Sequence, residues 1–330
     1  MRERRKIWLA IIAMGVLISF SSLGSNFSAA KEKPYPSKEV NIYVGSPPGG
    51  TNDLTGRVIG KVLSKMWGQQ VVIVNKAGGT QTVSFSYVAN AKPDGYTVAY
   101  ILNPYLVLKK LEEPSLPYSP EKFTWLGAIA RSSIILTVKA DSPWKTYEEF
   151  VDFGVKNPGK IIFGSDGAGG IQHLLELKFA DMVGIKSFTH VPFAGSGPMV
   201  QALLGGHINA IITATGSTGA YVGSGDLRYL LYFADKRDPE YPDIPTAKEK
   251  GLNLVGGSQG IFAAPKGLPS EIAGKLSKSI KEASANEEVL ALYKKIGWRY
   301  EYYPPEDCLK LWKEDENLYA KEMKKYGFIK

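Results

Sequence analysis

A single cysteine, Cys308, in 330 residues rules out an intrachain disulfide, so the chain must hold itself together by burying a core. Only three histidines occur, His173, His190 and His207, and no two stand four apart on one helical face. With one thiol to add, they cannot assemble a conventional metal site. No Walker-type glycine loop followed by lysine is present, nor any G-x-G-x-x-G, so no nucleotide cofactor is expected and no cofactor of any kind is implied. The formal charge of +8 is spread thinly, without a basic tract or a basic stripe interleaved with aromatics. Nucleic acid is therefore not an expected partner, whereas small anions would be mildly attracted. Internal repeats and low-complexity tracts are absent as well.

No apolar run reaches the ~20 residues that a membrane-spanning helix needs. The longest, Ile7 to Phe20, has 14 residues; it follows Arg2, Arg4, Arg5 and Lys6 and precedes small residues ending at Ser28-Ala29-Ala30. That order is a secretory signal peptide over residues 1–30, cut after Ala30, which predicts export to the periplasm or extracytoplasmic space. No cysteine near the cut offers a lipid anchor. Its removal takes away four basic residues and Glu3, lowering the charge from +8 to +5 and leaving 300 residues, enough for two domains.

What the remaining chain has in quantity is glycine at strand-to-helix junctions. Val40, Ile42 and Val44 alternate as in a strand, Leu54, Val58, Val62 and Met66 recur at helical spacing, and Ser46-Pro47-Pro48-Gly49-Gly50-Thr51-Asn52-Asp53 joins them. Glycine lets a ligand approach the backbone, and the first N–H groups of a helix point outward without intrahelical acceptors at the positive end of its dipole. The device recurs at Ser165-Asp166-Gly167-Ala168-Gly169-Gly170, between Ile161-Ile162-Phe163 and the helical residues Ile171, Leu174, Leu175 and Phe179. Two anion loops in different halves predict a binding site built from Ser46, Gly49, Gly50, Thr51, Asn52 and Asp53 on one side and Ser165, Asp166, Gly167, Gly169 and Gly170 on the other. Asp53, at a helix start, reads as a cap for its own dipole ahead of a ligand contact. Gly78 and Gly79 are expected only to turn the chain.

Strands and helices alternate elsewhere too: Val71 to Val74 is a β-branched strand, Lys92-Pro93-Asp94-Gly95 a turn, and Tyr96 to Leu102 the next strand. The alternation predicts an α/β fold with a mainly parallel sheet. The domain change falls in the stretch that follows proline-rich residues 113–120. The predicted division is a first domain of 31–130 completed by 235–330, and a second of 131–234. Beyond residue 265 only helices are expected, capped at Ser270 and Asn286, with Leu309, Trp312, Tyr319 and Met323 packing inward from the last one and Cys308 buried beside them.

Taken in order, Pro47-Pro48-Gly49-Gly50-Thr51-Asn52-Asp53, Lys92-Pro93-Asp94-Gly95-Tyr96-Thr97, Gln172-His173-Leu174, His190-Val191-Pro192-Phe193-Ala194-Gly195 and Leu203-Leu204-Gly205-Gly206 resemble the substrate-binding proteins of tripartite tricarboxylate transporters, the TctC or Bug family. Tyr241 to Thr246 and Ala263 to Gly267 extend the resemblance over nearly all of the exported chain. It implies a type II periplasmic binding protein: two α/β domains joined by crossing strands, a small carboxylate held between two facing loops, and a monomer that meets the membrane subunits of a transporter. The ligand would be a mono- or dicarboxylate, a class that includes amino and hydroxy acids. Two departures bear on it. Where the family commonly has Pro-Phe, Gly45-Ser46 removes an aromatic wall, which predicts a wetter or a wider pocket. In the second loop a carboxylate, Asp166, is added and a hydroxyl is lost, so Asp166 either meets an amino or hydroxyl group of the ligand or caps its own helix.

Two other functions compete. A ligand-presenting protein for a sensor kinase would need the same cleft and the same closure. A serine hydrolase is suggested by Gly256-Gly257-Ser258-Gln259-Gly260, which fits G-x-S-x-G, but the nucleophile elbow requires a helix directly after Ser258 and an extended run, Ile261 to Pro265, follows instead. No catalytic residue is therefore expected.

Overall fold

A computed structural model describes residues 34–330 other than 80, so the signal segment predicted for residues 1–30 lies outside the described residues. In chain order the elements are β1 (Val40–Val44), α1 (Thr51–Trp67), β2 (Val71–Asn75), α2 (Thr82–Ala89), β3 (Thr97–Asn103), α3 (Tyr105–Glu112), β4 (Phe123–Ser132) and β5 (Ile134–Lys139). Then come α4 (Tyr147–Lys156), β6 (Ile162–Ser165), α5 (Ile171–Val183), β7 (Thr189–Pro192), α6 (Ser196–Leu204), β8 (Ala210–Ala214), α7 (Thr215–Gly223) and β9 (Leu227–Tyr232). The chain ends with β10 (Gln259–Pro265), α8 (Ser270–Ser284), α9 (Glu287–Ile296), β11 (Trp298–Tyr303) and α10 (Pro305–Lys325).

These strands form two sheets, ordered β11-β4-β10-β3-β1-β2 and β7-β6-β8-β5-β9. In each, a strand that opens a strand–loop–helix unit lies between two parallel neighbours: β1 between β2 and β3, β6 between β7 and β8. One strand from outside that unit then runs antiparallel beside the third: β10, from late in the chain, against β3, and β5, which precedes β6, against β8. The chain passes from the first sheet to the second at Ser133, the one residue between β4 and β5, and returns through residues 233–258. The result is two α/β lobes of matching topology joined by two crossings, the type II periplasmic binding protein architecture.

Each lobe has its own core. In the first, Phe85 of α2 stacks on Phe123 at 3.9 Å and on Trp312 of α10 at 5.9 Å, while Cys308 and Met323 of the same helix are also fully buried. A large side chain so enclosed contributes about 1.5–3 kcal/mol, and this cluster ties the C-terminal helix to the first sheet. In the second, Phe150, Phe163, Phe179 and Phe233 pack between α4, α5 and the sheet.

The sheets are mixed and not mainly parallel as expected, with five antiparallel pairings beside four parallel ones, and four elements depart from expectation. β11 interrupts what reads as an all-helical C-terminus, because Trp298-Arg299-Tyr300 pairs with Ala130-Arg131-Ser132 at the sheet edge. α3 and α7 are short helices directly after β3 and β8; glycine and β-branched or small residues through Thr215–Gly223 give α7 little helical signal. The helix expected to be capped by Ser270 instead includes it as its first residue, after Pro269, whereas Asn286 does cap α9 by accepting from the Glu288 N–H at 3.0 Å.

Candidate functional site

The two glycine loops have the same backbone. At α1, Gly49 has φ +82°, Gly50 donates to the Pro47 carbonyl at 3.2 Å, and Gly50 stands just before the helix at φ −72°, ψ 162°. At α5, Gly169 has φ +74°, Gly170 donates to the Gly167 carbonyl at 3.4 Å, and Gly170 stands before the helix at φ −71°, ψ 172°. Left-handed φ selects glycine at 49 and 169, and no side chain caps either helix, so both first turns keep N–H groups for an outside acceptor. A side chain at Gly49 or Gly167 would meet nothing within 4 Å, which means open space borders both loops.

Around the first loop most side chains are committed to the protein. Asp53, among the expected ligand contacts, is 2% exposed; it accepts from the Gly49 N–H at 2.8 Å, from Arg57 at 2.8 and 2.9 Å and from Asn75 at 2.8 Å. Burial alone would raise its pKa, but Arg57, the Gly49 amide and Asn75 outweigh it and hold the carboxyl below its ordinary value. Asp53 thus fixes the loop, offering a ligand only its N–H. Asn52 donates to Gln81 at 3.0 Å and its own carbonyl oxygen is buried without a partner, as is the Ser46 hydroxyl. Gln81 also accepts from the Leu102 N–H at 3.1 Å and holds a left-handed φ of +73°. The space left by Gly45 is filled by this residue, since a Cβ at Gly45 would lie 2.5 Å from that of Gln81.

The second loop rests on two stacked imidazoles. His173 of α5 and His190 of β7 lie 3.5 Å apart and nearly parallel. His173 Nδ1 accepts from the Gly169 N–H at 3.1 Å, and His190 Nε2 meets the Ser165 hydroxyl at 2.7 Å. Ser165 donates to the Gly167 carbonyl at 3.0 Å, so His190 supplies the proton between them. Burial, and for His173 its neighbour His190, lowers both pKa values, His173 to about 4. Ser165 is fully buried and its hydroxyl engaged, leaving its position in the loop as its contribution.

Asp166 behaves differently. It caps nothing, which removes one of the two roles predicted for it. Its amide donates to Gln172 at 2.9 Å and burial raises its carboxyl pKa. Its charge is felt by Tyr105, the first residue of α3 in the other lobe, whose hydroxyl interacts with Ser258 and is pushed up to about 12 chiefly by burial. It is felt as well by Glu176 of α5, which is 0% exposed with neither carboxyl oxygen partnered. Tyr105, Gln81 and Glu176 carry no motif. The position of Tyr105 just beyond the end of β3, where α/β sheets bind ligands, is the one sequence signal that could have marked it.

Phe328 of the C-terminal tail closes the far side of the loop, 3.1 Å from where a Cβ of Gly169 would lie and edge-on to His173 at 5.4 Å. A cavity of about 510 Å³ lies between α5 and α10, lined by Ile171, Leu174 and Lys178 on one side and by Arg131, Asp315 and Tyr319 on the other; no residue of either glycine loop reaches it. Ser258 is buried, its N–H donates to the Ser132 hydroxyl at 2.8 Å, and a strand, β10, follows it where an elbow would need a helix. Among the described residues no three metal-ligating side chains cluster, and no helix is long and apolar enough to cross a membrane.

Similarity to known proteins agrees with this geometry. The tripartite tricarboxylate transporter family receptor model, TctC, matches residues 55–327. The UPF0065 protein of the gbd 5' region of Cupriavidus necator is 31% identical over 281 residues, 85% of either chain. Among solved structures, a ligand-free TctC solute-binding protein from Polaromonas superposes with a TM-score of 0.79 at 28% identity, covering 88% of this chain and 99% of that one. MatC of Rhodopseudomonas palustris with bound malate gives 0.69 at 26% identity (87% and 99%), and an R. palustris protein with adipate 0.72 at 26% (89% and 98%). The chain belongs to the tripartite tricarboxylate transporter receptor family, whose members are periplasmic solute-binding proteins of the TctC or Bug type and not enzymes.

Proposed function

We propose that this protein captures a small carboxylate between its lobes and presents it, as a monomer outside the cytoplasm, to the membrane subunits of a tripartite tricarboxylate-type transporter. The observation that carries the reading is the duplicated, uncapped helix start after a left-handed glycine, at the corresponding place in each lobe. N–H groups there suit an anion better than a cation or an apolar ligand. The proposed contacts are Ser46, Gly49, Gly50, Thr51 and Asn52 from the first loop and Asp166, Gly167, Gly169 and Gly170 from the second, with Asp53 and Ser165 holding the loops in shape. Relatives solved with malate and adipate support the carboxylate class. For the inferred division into 31–130 with 235–330 and 131–234, strand membership of the two sheets supports assigning β1–β4, β10 and β11 to one lobe and β5–β9 to the other, while Ala247, Leu252 and Leu254 pack in the core of the second lobe. Calorimetric titration of the exported chain, residues 31–330, with mono-, di- and tricarboxylates is the test. Saturable binding of at least one is expected; no heat of binding from any would overturn the reading.

A further inference from the structure

We infer that Gln81 is a ligand-contacting residue beside the first glycine loop: its side-chain nitrogen donates to an oxygen of the bound carboxylate, in a direction fixed by Asn52 and the Leu102 N–H. The inference rests on the proposal that the first loop holds that carboxylate. Gln81 stands just before α2, and its side chain touches three segments at one edge of the first sheet: Asn52 in the first turn of α1, Leu102 near the end of β3, and Gly45 directly after β1. That edge, where β1 lies between β2 and β3 and feeds the first loop, is where open α/β sheets take their ligands. The orientation of the carboxamide is set by a group that can only donate. The Leu102 N–H approaches one end of it at 3.1 Å, so that end is the oxygen, and Asn52 turns its own nitrogen to the same oxygen at 3.0 Å. Both acceptor positions of Gln81 are therefore used within the protein. Its nitrogen donates to no described residue, yet it is not among the buried atoms left without a partner, so it borders accessible space beside the loop. The backbone is a second, independent sign. Gln81 is the one described non-glycine residue at a left-handed φ, +73°, a conformation that costs energy and persists where a site requires it. Filling the space over Gly45 needs bulk but no amide. A carboxamide with its oxygen pinned and its nitrogen outward is a donor of fixed direction, and it adds a side-chain hydrogen bond to those of the α1 N–H groups.

The experiment separates the two ends of the amide. Gln81→Glu keeps an oxygen for Asn52 and Leu102, at a helix start where a carboxylate is tolerated, and exchanges only the nitrogen, for an oxygen that repels an anion. Gln81→Gly accepts the left-handed φ without strain and removes the donor without adding a charge. Calorimetry on residues 31–330 with acetate, succinate, malate, adipate and citrate first identifies the acid that the wild type binds most tightly. Both variants should bind that acid roughly tenfold more weakly or worse, the loss expected for a hydrogen bond to a charged group. Wild-type affinity in Gln81→Glu with a loss only in Gln81→Gly would mean that the side chain merely braces the loop through its oxygen. A loss in Gln81→Glu with wild-type affinity in Gln81→Gly would mean that an added charge acts from a distance. Either result overturns the inference and leaves the carboxylate reading intact. Should Gln81→Glu fail to fold, Gln81→Gly with an unchanged melting curve decides, a tenfold loss supporting the contact and wild-type affinity overturning it. Binding of none of the five acids by the wild type would remove both readings.

Discussion

Gly50 and Gly169 occupy equivalent positions but make unequal probes. Gly50 has an ordinary φ, and an added Cβ would meet the Pro47 carbonyl at 3.3 Å, so Gly50→Val keeps the fold while placing methyl groups over the first-turn N–H groups. Carboxylate affinity should fall at least tenfold with a melting shift of a few degrees, read by calorimetry and thermal melting. At Gly169 the left-handed φ and the Phe328 ring at 3.1 Å make valine cost about 1–3 kcal/mol of stability before any ligand is considered. Similar loss of affinity in both variants with no extra destabilisation at 169 would contradict this distinction. The histidine pair gives a pH signature. A base whose folded pKa is depressed leaves stability intact above its unfolded value near 6.5 and withdraws it as pH falls, here from about 6.5 down to about 4 for His173. His173→Asn keeps an acceptor for the Gly169 amide without a titrating ring, so its melting temperature should decline less than the wild type's between pH 6.5 and 4. The glycine loops were legible because glycine's backbone freedom and the helix start are local properties. Gln81 and Tyr105 were not, since their importance comes from what a distant segment brings beside them.

At the scale of the element, α5 carries the clearest conflict between local pattern and surroundings. Its sequence reads as a largely apolar helix, yet Glu176 is buried in the interior with no partner. Burial first, and the charge of Asp166 second, raise its pKa well above the normal carboxyl value. An acid raised in this way costs the fold nothing below its unfolded pKa of about 4.3 and progressively more as pH rises above it, at a slope of about 1.4 kcal/mol per pH unit until it ionises in place. Glu176→Gln should therefore melt close to the wild type at pH 4 and several degrees higher at pH 8, measured by calorimetric scanning. A gap that stays constant with pH would show that Glu176 has a counter-charge after all. The elements missed from sequence follow the same logic. β11 exists because β4 offers an unpaired edge, and the run Trp298 to Tyr303 alternates too weakly to announce it. β1, β6 and the helices they feed were readable because the apolar period and the glycine-rich strand-to-helix junction agree there.

For the whole molecule, the contacts that matter run between α5 of one lobe and the end of α10, which belongs with the other. Lys178 pairs with Glu322 at 3.3 Å, Asp181 takes Lys325 and the Tyr326 hydroxyl, Leu174 and Met323 share an apolar cluster, and Phe328 covers Gly169 and His173. The Lys325–Asp181 pair is exposed and contributes little, so the apolar contacts and the half-buried Lys178–Glu322 pair carry most of this attachment. The two crossings, at Ser133 and through 233–258, are the segments about which the lobes can turn, and a ligand that touches both glycine loops gains its full set of hydrogen bonds only when they approach. Small-angle scattering should accordingly show a smaller radius of gyration with ligand than without; no change would refute closure. Phe328→Ala separates this coupling from ligand contact. If the ring touches the second loop only when the lobes are together, its loss costs the closed form about 1 kcal/mol while leaving the open form unaltered, which weakens affinity roughly fivefold without a matching fall in the melting temperature of the ligand-free protein. Unchanged affinity in that variant would mean that the tail rides with the second lobe throughout, and that closure is governed by the loops alone.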